Sequence, residues 1–475
     1  MKQRYDELLK VQRLRQSSRE ERSILDESES DKARVIYSAS FRRLQRKTQV
    51  FPLEENAAIR SRMTHSLEVA HVGRYLSTKF LTLVRNEHAG LSIDSLGIDG
   101  ECALAIPNIV ETACLLHDVG NPPFGHFGES AISNWFHDYW GSIQSRFCGD
   151  DSAEFLARDF KEFDGNPQGF RIIARTGGVD EYGMNLCAAQ LASTVKYPVG
   201  PSDVGRAGCF SKKAGIFNSE ADRWEQITSA LDLSPGARFP LAYLMEAADD
   251  ISYCLSDIED GIEKGYLRHA DFTEALIAGV SSDHAALDVV TKALDKSERL
   301  KDLVDPVVLF RADLITYLVE QISKSYCQNH RRIFLGEAVE LVEEGSPEFS
   351  ILKAVRDVVA DLLYGRRASH ELELTGHAAI VGILKRYERF LSLDREEAAS
   401  VAAGTKCGKR LDEQVKLFSL LPAKHIASYR RQAAAREISD ADEWMARCHL
   451  VTDYVSGMTD VFALRTYQML SGIRL

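Results

Sequence analysis

Two side chains able to bind a metal, His117 and Asp118, end a largely apolar run, and a Gly-Asn-Pro-Pro turn follows them directly. His126 and Glu129 come next, spaced three residues apart, so they would share one face of a helix. Imidazole and carboxylate groups bind divalent metals and transfer protons, which suits hydrolytic chemistry. A lone His-Asp pair is more often a helix end with a capping carboxylate and a satisfied histidine. The pair becomes a site only if the rest of the chain supplies partners.

Further ligands are present in two distant segments. His65 lies early in an amphipathic segment, and Asp249 interrupts a strongly apolar one. Burying a carboxylate there is costly unless a cation or a donor satisfies it. Tyr253 and Asp257 follow Asp249 at intervals of four and share its helix face. With the His-Asp pair, these segments would offer a metal two nitrogens and two carboxylate oxygens, a set that suits Mg²⁺, Mn²⁺, Fe²⁺, Co²⁺, Ni²⁺ or Zn²⁺.

The elements that must position these residues are helices, because most of the chain repeats apolar residues with a helical period. Helical stripes are predicted over 63–80, 239–262, 287–318, 351–363, 378–391 and 443–470. Gly/Pro-rich interruptions fall at 90–107, 141–169 and 198–215. Short strands are considered only for 170–175 and 304–309. The predicted fold class is mainly α, with a helical core to about residue 265 and a helical C-terminal part added to it.

The charge composition limits the kinds of molecule that the protein is expected to bind. The 475 residues carry a net charge of −12, which argues against a protein coated for general nucleic-acid or membrane binding. One local strip, from residue 32 to 50, is basic and contains no acidic residue. Its cations are Lys32, Arg34, Arg42, Arg43, Arg46 and Lys47. A strip of this kind fits a polyanionic ligand or a solvated helix face equally well.

Cysteine usage and the N-terminus indicate the compartment. The nine cysteines are scattered and never spaced C-x-x-C, so they are interpreted as buried thiols in a reducing environment. The first 16 residues alternate charge with leucine and resemble neither a signal nor a transit peptide. No apolar run reaches membrane-spanning length. A cytoplasmic protein without a membrane partner is predicted.

Longer blocks carry a family resemblance. The blocks are FRRLQRKTQVF (41–51), RMTHSLEV (62–69), HDVGNPPFGH (117–126), TVKYP (194–198), EAADDISY (246–253) and DYVSGMTD (453–460). Together they resemble the HD-domain superfamily of metal-dependent phosphohydrolases. Within it they look like the deoxynucleoside triphosphate (dNTP) triphosphohydrolases, nearest to the bacterial dGTPases. A lone His-Asp pair is a weak signal, whereas these blocks in this order are specific and span essentially the whole chain.

The resemblance implies a reaction: cleavage of a dNTP between the 5′ oxygen and the α-phosphorus, giving a deoxynucleoside and inorganic triphosphate. It implies His65, His117, Asp118 and Asp249 as ligands of a divalent metal, Mg²⁺ or Mn²⁺ first among the ions named above. It implies His126 and Glu129 as the catalytic pair. Such a histidine can protonate the leaving 5′ oxygen, and the carboxylate can set its tautomer and raise its basicity.

The implied substrate-binding residues are Gln49, Arg62, Asn185, Lys196, Tyr197, Tyr253 and Asp257. Arg62 is the expected phosphate ligand, since arginine presents a forked donor to phosphate oxygens. Tyr253 is expected under the deoxyribose, with Asp257 near a sugar hydroxyl and Gln49 at the 3′-hydroxyl. Lys212 and Lys213 are either further phosphate ligands or part of a solvated loop.

Domain organisation and assembly are also implied. The expected parts are an N-terminal helical and basic segment (1–60) contributing to the nucleotide site, an HD core (61–265) and a helical C-terminal region (266–475). Relatives assemble through their C-terminal regions, commonly as hexamers, so a homo-oligomer is expected, and single-stranded DNA is an expected effector.

Departures from the family and competing functions remain open. Asn121 stands where the animal dNTP hydrolases carry a histidine, and Asp250 is acidic where some relatives carry lysine. Base preference, with dGTP favoured, does not follow from the metal blocks. The alternatives are a broad dNTPase, an HD phosphomonoesterase or cyclic-nucleotide phosphodiesterase, and a single-stranded nucleic-acid binder with a vestigial metal site. In the last case the basic strip would form a groove with Arg430, Arg431, Arg436 and Arg447.

Overall fold

The computed structural model describes residues 4–16, 22–147, 151–206, 210–364, 367–404, 408–434 and 438–473, and they are overwhelmingly helical. The predicted mainly α fold class is confirmed. Strand pairing in the described residues is limited to two isolated bridges, Arg13 with Cys187 and Thr48 with Ser61. No helix in these ranges is both long and apolar enough to cross a membrane.

The first half of the chain forms eleven α-helices within the described ranges. They are α1 (Tyr5–Leu8), α2 (Ile24–Ile36), α3 (Ala39–Arg43), α4 (Arg62–Arg85), α5 (Gly100–Leu116), α6 (Gly125–Ile143), α7 (Asp151–Lys161), α8 (Gly165–Arg171), α9 (Ala188–Ser193), α10 (Ala221–Leu231) and α11 (Pro240–Glu263). A π-helical turn, Ile172–Thr176, continues α8.

The second half continues in the same way. Its helices are α12 (His269–Val280), α13 (His284–Arg299), α14 (Pro306–Phe334), α15 (Pro347–Val359), α16 (Arg367–Leu391), α17 (Arg395–Ala403), α18 (Asp412–Ser419), α19 (Ala423–Ala433), α20 (Asp440–Ser456) and α21 (Asp460–Leu470). Another π-helical turn, Ala360–Tyr364, follows α15. Short 3₁₀ turns occupy Leu44–Arg46, His88–Gly90, Gln144–Phe147, Pro201–Asp203, Asn218–Glu220 and Lys409–Leu411.

Helices α4, α5 and α11 pack against one another at the centre of the larger hydrophobic core. A Cβ added to Gly73 of α4 would lie 2.5 Å from Cys114 Sγ of α5 and 3.5 Å from Ala248 Cβ of α11. The first distance is shorter than atoms tolerate, so glycine permits this close approach. The approach brings the C-terminal end of α5 to the first turn of α4 and the middle of α11. These are the three places where metal ligands are predicted.

A second hydrophobic core surrounds the helix that follows the His-Asp pair. Helices α6 and α7 pack there against α16 and α20, and α21 packs against α16. Helices α12 to α15 instead join the larger core. The C-terminal region is thus divided between the two cores, and its second half lies against the helix that carries His126 and Glu129. The domain boundaries themselves stay a prediction.

Several local predictions were wrong. The segments 170–175 and 304–309 are not strands: the first is helical and the second leads into α14. The stripe over 287–318 is interrupted between α13 and α14, and that over 443–470 breaks at 457–459 between α20 and α21. Pro107 lies inside α5, and α7 lies within the expected interruption 141–169. In each case tertiary packing or a capped helix start overrode a local composition signal.

Candidate active site

The C-terminal end of α5 fixes the orientation of His117. Its Nδ1 lies 2.6 Å from the carbonyl oxygen of Cys114. Carbonyls in the last turn of a helix lack a partner within the helix, and a carbonyl can only accept, so Nδ1 must carry the proton. The other ring nitrogen, Nε2, is then left with a free lone pair. A backbone bond of this kind is how metal-binding histidines commonly have their tautomer set.

Three further side chains surround that nitrogen. Asp249 Oδ1 lies 3.5 Å from His117 Nε2 and 3.3 Å from His65 Nε2. Asp118 Oδ2 lies 3.5 Å from His117 Nε2. His65, His117 and Asp118 each offer one ligand atom within 4.8 Å of the others. His65 and Asp118 are buried, as expected for groups enclosed by helices.

A divalent cation fits this cluster. Among the described residues, buried His117 Nε2 and Asp118 Oδ2 have no hydrogen-bond partner, an arrangement that is costly without a ligand. Burial raises the pKa of Asp118, but the Arg62 guanidinium and the two imidazoles outweigh burial and leave that pKa below its ordinary value. Asp249 follows the same pattern, with burial opposed chiefly by His117, and its pKa is also lowered. Two imidazoles and a buried carboxylate whose ligand atoms lie this close together make this a His-His-Asp metal site.

His126 and Glu129 form a pair at the start of α6. His126 Nδ1 lies 2.6 Å from Glu129 Oε2, and Glu129 Oε1 accepts the Gly165 N–H at 2.8 Å. A Cβ at position 165 would lie 2.9 Å from that same oxygen, so the close approach needs glycine. Glu129 is buried, whereas the His126 side chain is 77% exposed. The hydrogen bond to Glu129 raises the pKa of His126 above its ordinary value.

The metal cluster and this pair open into one cavity of about 730 Å³. Its lining includes predicted site residues from six segments of the chain: Gln49, Arg62, His117, Asp118, His126, Glu129, Lys196, Tyr197, Asp249 and Tyr253. A cavity of this size accommodates a nucleotide. His65, which is fully buried, holds its Nε2 against Asp249 at the cavity's base.

Arg62 lies between the metal cluster and the His126–Glu129 pair. Its Nη1 is 2.9 Å from Asp118 Oδ1, and its side chain is buried. A Cβ on Gly125, the first residue of α6, would lie 2.8 Å from Arg62 Nη2. Arg62 is thus a buried cation within reach of both halves of the site, as a phosphate ligand should be.

Lysines and aromatic rings form another wall of the cavity. Lys196 Nζ lies 3.4 Å from Glu246 Oε1 and 5.8 Å from the centre of the Tyr197 ring. Burial lowers the pKa of Lys196, but Glu246 and Asp250 outweigh burial and raise it. Lys213 also lines the cavity, with Nζ 2.6 Å from Asp164. Each of these two lysines is paired with a carboxylate and supplies a cation at the cavity wall.

Two predicted substrate residues do not line this cavity. Asp257 is buried and lies eight residues after Asp249 on α11, a distance of about 12 Å along a helix. Asn185 is buried beneath the N-terminal segment, where its Oδ1 accepts the Arg15 N–H at 3.1 Å. Sharing a helix face with a ligand was therefore not enough to bring Asp257 to the cavity. Their predicted contacts with a nucleotide stay untested.

The chain matches two family models and is similar to known proteins over nearly its whole length. The model described as HD domain matches residues 62–175, and the phosphohydrolase-associated domain matches 415–469. A probable deoxyguanosinetriphosphate triphosphohydrolase of Pseudomonas aeruginosa is 34% identical, over 95% of this chain and 94% of that protein. The deoxyguanosinetriphosphate triphosphohydrolase of Enterobacter sp. (strain 638) is 33% identical, over 96% of each chain. The chain belongs to the deoxyguanosinetriphosphate triphosphohydrolase family.

The HD-domain match contains His65, His117 and Asp118 of the metal cluster and both His126 and Glu129. It ends at residue 175, before Lys196, Asp249 and Tyr253. The rest of the cavity lining therefore comes from other segments of the chain, among them α11.

The cavity also contains residues that sequence reasoning missed. Arg356 of α15 and His370 and Glu373 of α16 line it, together with Asp250. Burial raises the pKa of Asp250 to about 6. Arg356, His370 and Glu373 lie on ordinary amphipathic helices, so no local pattern distinguishes them. Their position shows that the C-terminal helices of this triphosphohydrolase-family chain help to form the cavity.

The proposed nucleic-acid groove needs correction. Lys47 is buried, and its Nζ donates to the carbonyl oxygen of Ser456 at 2.7 Å. Arg447 is also buried, with Nη2 2.8 Å from Glu443. Because both cations are enclosed, neither contributes to a surface groove. Arg436 lies outside the described residues.

Proposed function

We propose that this protein hydrolyses dGTP to deoxyguanosine and inorganic triphosphate by attack of water at the α-phosphorus, with a bound divalent metal. One observation carries the proposal: the His-His-Asp cluster, buried Arg62 and the His126–Glu129 pair line the same cavity. This combination of groups suits cleavage of a phosphoester bond within a polyanion. The preference for dGTP is supported by the names of the relatives.

His126 supplies the proton in this proposal. Its Nδ1 donates to Glu129, which leaves Nε2 to protonate the departing 5′ oxygen. The hydrogen bond to Glu129 raises the pKa of His126 and so favours the protonated ring, the form a general acid requires. Arg62 holds phosphate oxygens, and Lys196 adds positive charge to the cavity wall.

His65, His117, Asp118 and Asp249 would hold the metal, with Mg²⁺ or Mn²⁺ proposed and Co²⁺, Ni²⁺, Fe²⁺ or Zn²⁺ as alternatives. The bound ion supplies neutralisation of phosphate charge and lowers the pKa of a water ligand. The cluster itself holds two carboxylates with lowered pKa values beside two imidazoles. Metal titration of the stripped protein ranks the ions.

The pH profile should report the His126–Glu129 pair. Activity that needs protonated His126 is present at lower pH and is lost as pH rises through its raised pKa. Glu129→Gln keeps a hydrogen-bond acceptor but removes the negative charge, so the pKa of His126 falls. We expect the alkaline limb of kcat to move to lower pH in this variant, with metal binding retained. If the alkaline limb stays at the wild-type pH, His126 is not the group whose titration produces it.

Tyr253 is proposed to lie against the deoxyribose and leave no room for a 2′-hydroxyl. It is half-buried and lines the cavity with Gln49. Tyr253→Ala should therefore reduce discrimination between dGTP and GTP by about 10-fold, the scale of one lost pocket contact. The measurement is the ratio of the two kcat/KM values, with Tyr253→Phe, which keeps the ring, as the control. An unchanged ratio in Tyr253→Ala would refute the sugar role.

Product identification tests the proposed function. The protein is incubated with each of the four dNTPs and with GTP, in Mg²⁺ or Mn²⁺, and the products are resolved by chromatography and ³¹P NMR. We expect deoxynucleoside and inorganic triphosphate, fastest from dGTP. Equal rates with all dNTPs would indicate a broad dNTPase. Orthophosphate, or hydrolysis of cyclic nucleotides alone, would indicate another class of HD phosphohydrolase.

We also propose a cytoplasmic homo-oligomer that single-stranded DNA regulates. A homo-oligomer, with a hexamer as the first candidate, is tested by light scattering. A single-stranded DNA effector would bind with a steep dependence on salt, also after loss of the metal ligands. A cytoplasmic location is supported by free buried thiols such as Cys114 and Cys448.

A further inference from the structure

Asp460, the first residue of α21, connects two segments that are distant in sequence. Its Oδ1 accepts the Phe124 N–H at 3.0 Å. Its Oδ2 accepts the Thr48 N–H at 3.1 Å and the Thr48 hydroxyl at 2.7 Å. The residue is buried, with 1% of its surface exposed. One carboxylate from the C-terminal region thus bonds a neighbour of Gln49 and the residue two positions before His126.

These bonds are not part of an ordinary helix cap. Thr459 is the cap of α21, because its side chain accepts the Phe462 N–H. The Asp460 bonds described above leave its own helix and reach α6 and the segment at Thr48. These bonds therefore hold Phe124 and Thr48 in place and do not cap α21.

Phe124 needs this support. It begins α6 in the left-handed region, with φ 63°, and caps the helix without a side-chain hydrogen bond. L-residues other than glycine rarely adopt this conformation, so it persists only where surrounding contacts fix it. A Cβ on Gly376 of α16 would lie 2.4 Å from the Phe124 ring, which shows how closely α16 covers that ring. The ring contact and the bond to Asp460 hold the backbone from which His126 projects.

Residues 456–460 are also connected to the loop that follows the His117–Asp118 pair. Lys47, adjacent to Thr48, donates from Nζ to the carbonyl oxygens of Asn121 and Ser456 at 2.5 and 2.7 Å. Asn121 in turn donates from Nδ2 to Asp118 Oδ1. Segments 47–48, 121–124 and 456–460 are therefore joined by hydrogen bonds, with Asp460 accepting three of them.

We propose that Asp460 is a positioning residue that sets His126, through Phe124, and Gln49, through Thr48, relative to the metal cluster. The proposal rests on the proposed function, since it assigns these two residues to the reaction. In this proposal, a residue of the C-terminal region fixes the positions of His126 and Gln49. Loss of the carboxylate should misplace both groups while the metal ligands stay intact.

Asp460→Asn tests the proposal because the amide nitrogen of asparagine cannot accept an N–H donor. We expect kcat for dGTP to fall by roughly 10- to 100-fold, the scale of a small misplacement of a catalytic group, and KM to rise. Calorimetric titration with Mn²⁺ alone should give unchanged stoichiometry and an affinity within about twofold, since this substitution removes no ligand. Hydrogen exchange of a peptide covering 121–127 should be faster than in the wild type.

Asp159→Asn is the matched control. Asp159 is a buried aspartate on α7 that also accepts two backbone N–H groups, from Asn218 at 2.6 Å and Ser219 at 3.0 Å. It does not line the cavity. We expect this variant to lose stability, with kcat and exchange at 121–127 unchanged. Equal kcat losses in the two variants, or a loss of Mn²⁺ binding in Asp460→Asn, would overturn the positioning role.

Thr48→Val provides a second route if Asp460→Asn does not fold. It removes only the 2.7 Å bond from the hydroxyl and keeps the backbone N–H. A rise in KM with unchanged Mn²⁺ affinity supports the proposal, and wild-type kinetics overturn it. If the wild-type protein releases no triphosphate from any dNTP, the proposed function fails instead. The exchange measurement on Asp460→Asn then still decides whether Asp460 fixes the start of α6.

Discussion

Replacing His117 with alanine is expected to abolish metal binding and turnover together. The change removes the only nitrogen that lies within 3.5 Å of both Asp118 and Asp249 among the described residues. The carboxylates of buried Asp118 and partly buried Asp249 would lose an imidazole that lowers their pKa values. A catalytic metal contributes several kcal/mol of charge stabilisation, so turnover should fall by more than about 10³-fold.

The measurement is Mn²⁺ titration by calorimetry beside kcat for dGTP. His330→Ala is the control, since His330 is a buried histidine in the larger core that packs on Phe80 and Phe334 and does not line the cavity. The control should lose stability but keep its metal and its kcat. Stoichiometric Mn²⁺ binding or wild-type turnover in His117→Ala would contradict the assigned ligand set.

Replacing His126 with alanine is expected to separate metal binding from catalysis. His126 bonds Glu129 and is largely exposed, so its loss leaves the metal cluster intact. Without a proton donor at the leaving oxygen, kcat should fall by about 10²- to 10⁴-fold, the usual effect of losing a general acid. KM should change little, because the phosphates are held by other groups.

Steady-state kinetics and Mn²⁺ titration test this second variant as well. His137→Ala is its control, since His137 is an exposed histidine on the same helix. It should behave like the wild type in both measurements. A kcat for His126→Ala within a few-fold of the wild type would exclude His126 as the proton donor.

The metal cluster was predictable from the sequence because its signal is local. His117 and Asp118 are adjacent at the end of an apolar helix, and each of the other ligands lies in a recognisable block. Helix periodicity predicted that the segments of α4 and α11 are helical, and the structure shows the packing that brings those blocks together. Asp257 shares a helix face with Asp249 but does not line the cavity, because a shared face specifies direction and not distance along the helix. Its predicted contact with a sugar hydroxyl stays a prediction.

The remaining features depend on tertiary contacts that leave no local pattern. Arg356 and Glu373 reach the cavity because α15 and α16 pack beside it. Lys47 was interpreted as part of a surface strip, yet the turn after α20 encloses it. Asp460 belongs to a block that resembles the family, but only the fold shows that its carboxylate bonds Phe124 and Thr48.

The position of bond cleavage tests the central claim most directly. The reaction is run with dGTP and Mn²⁺ in H₂¹⁸O, and the products are analysed by mass spectrometry. Attack of water at the α-phosphorus predicts one ¹⁸O atom in inorganic triphosphate and none in deoxyguanosine. Label in deoxyguanosine, or release of orthophosphate or pyrophosphate as the first product, would contradict the account.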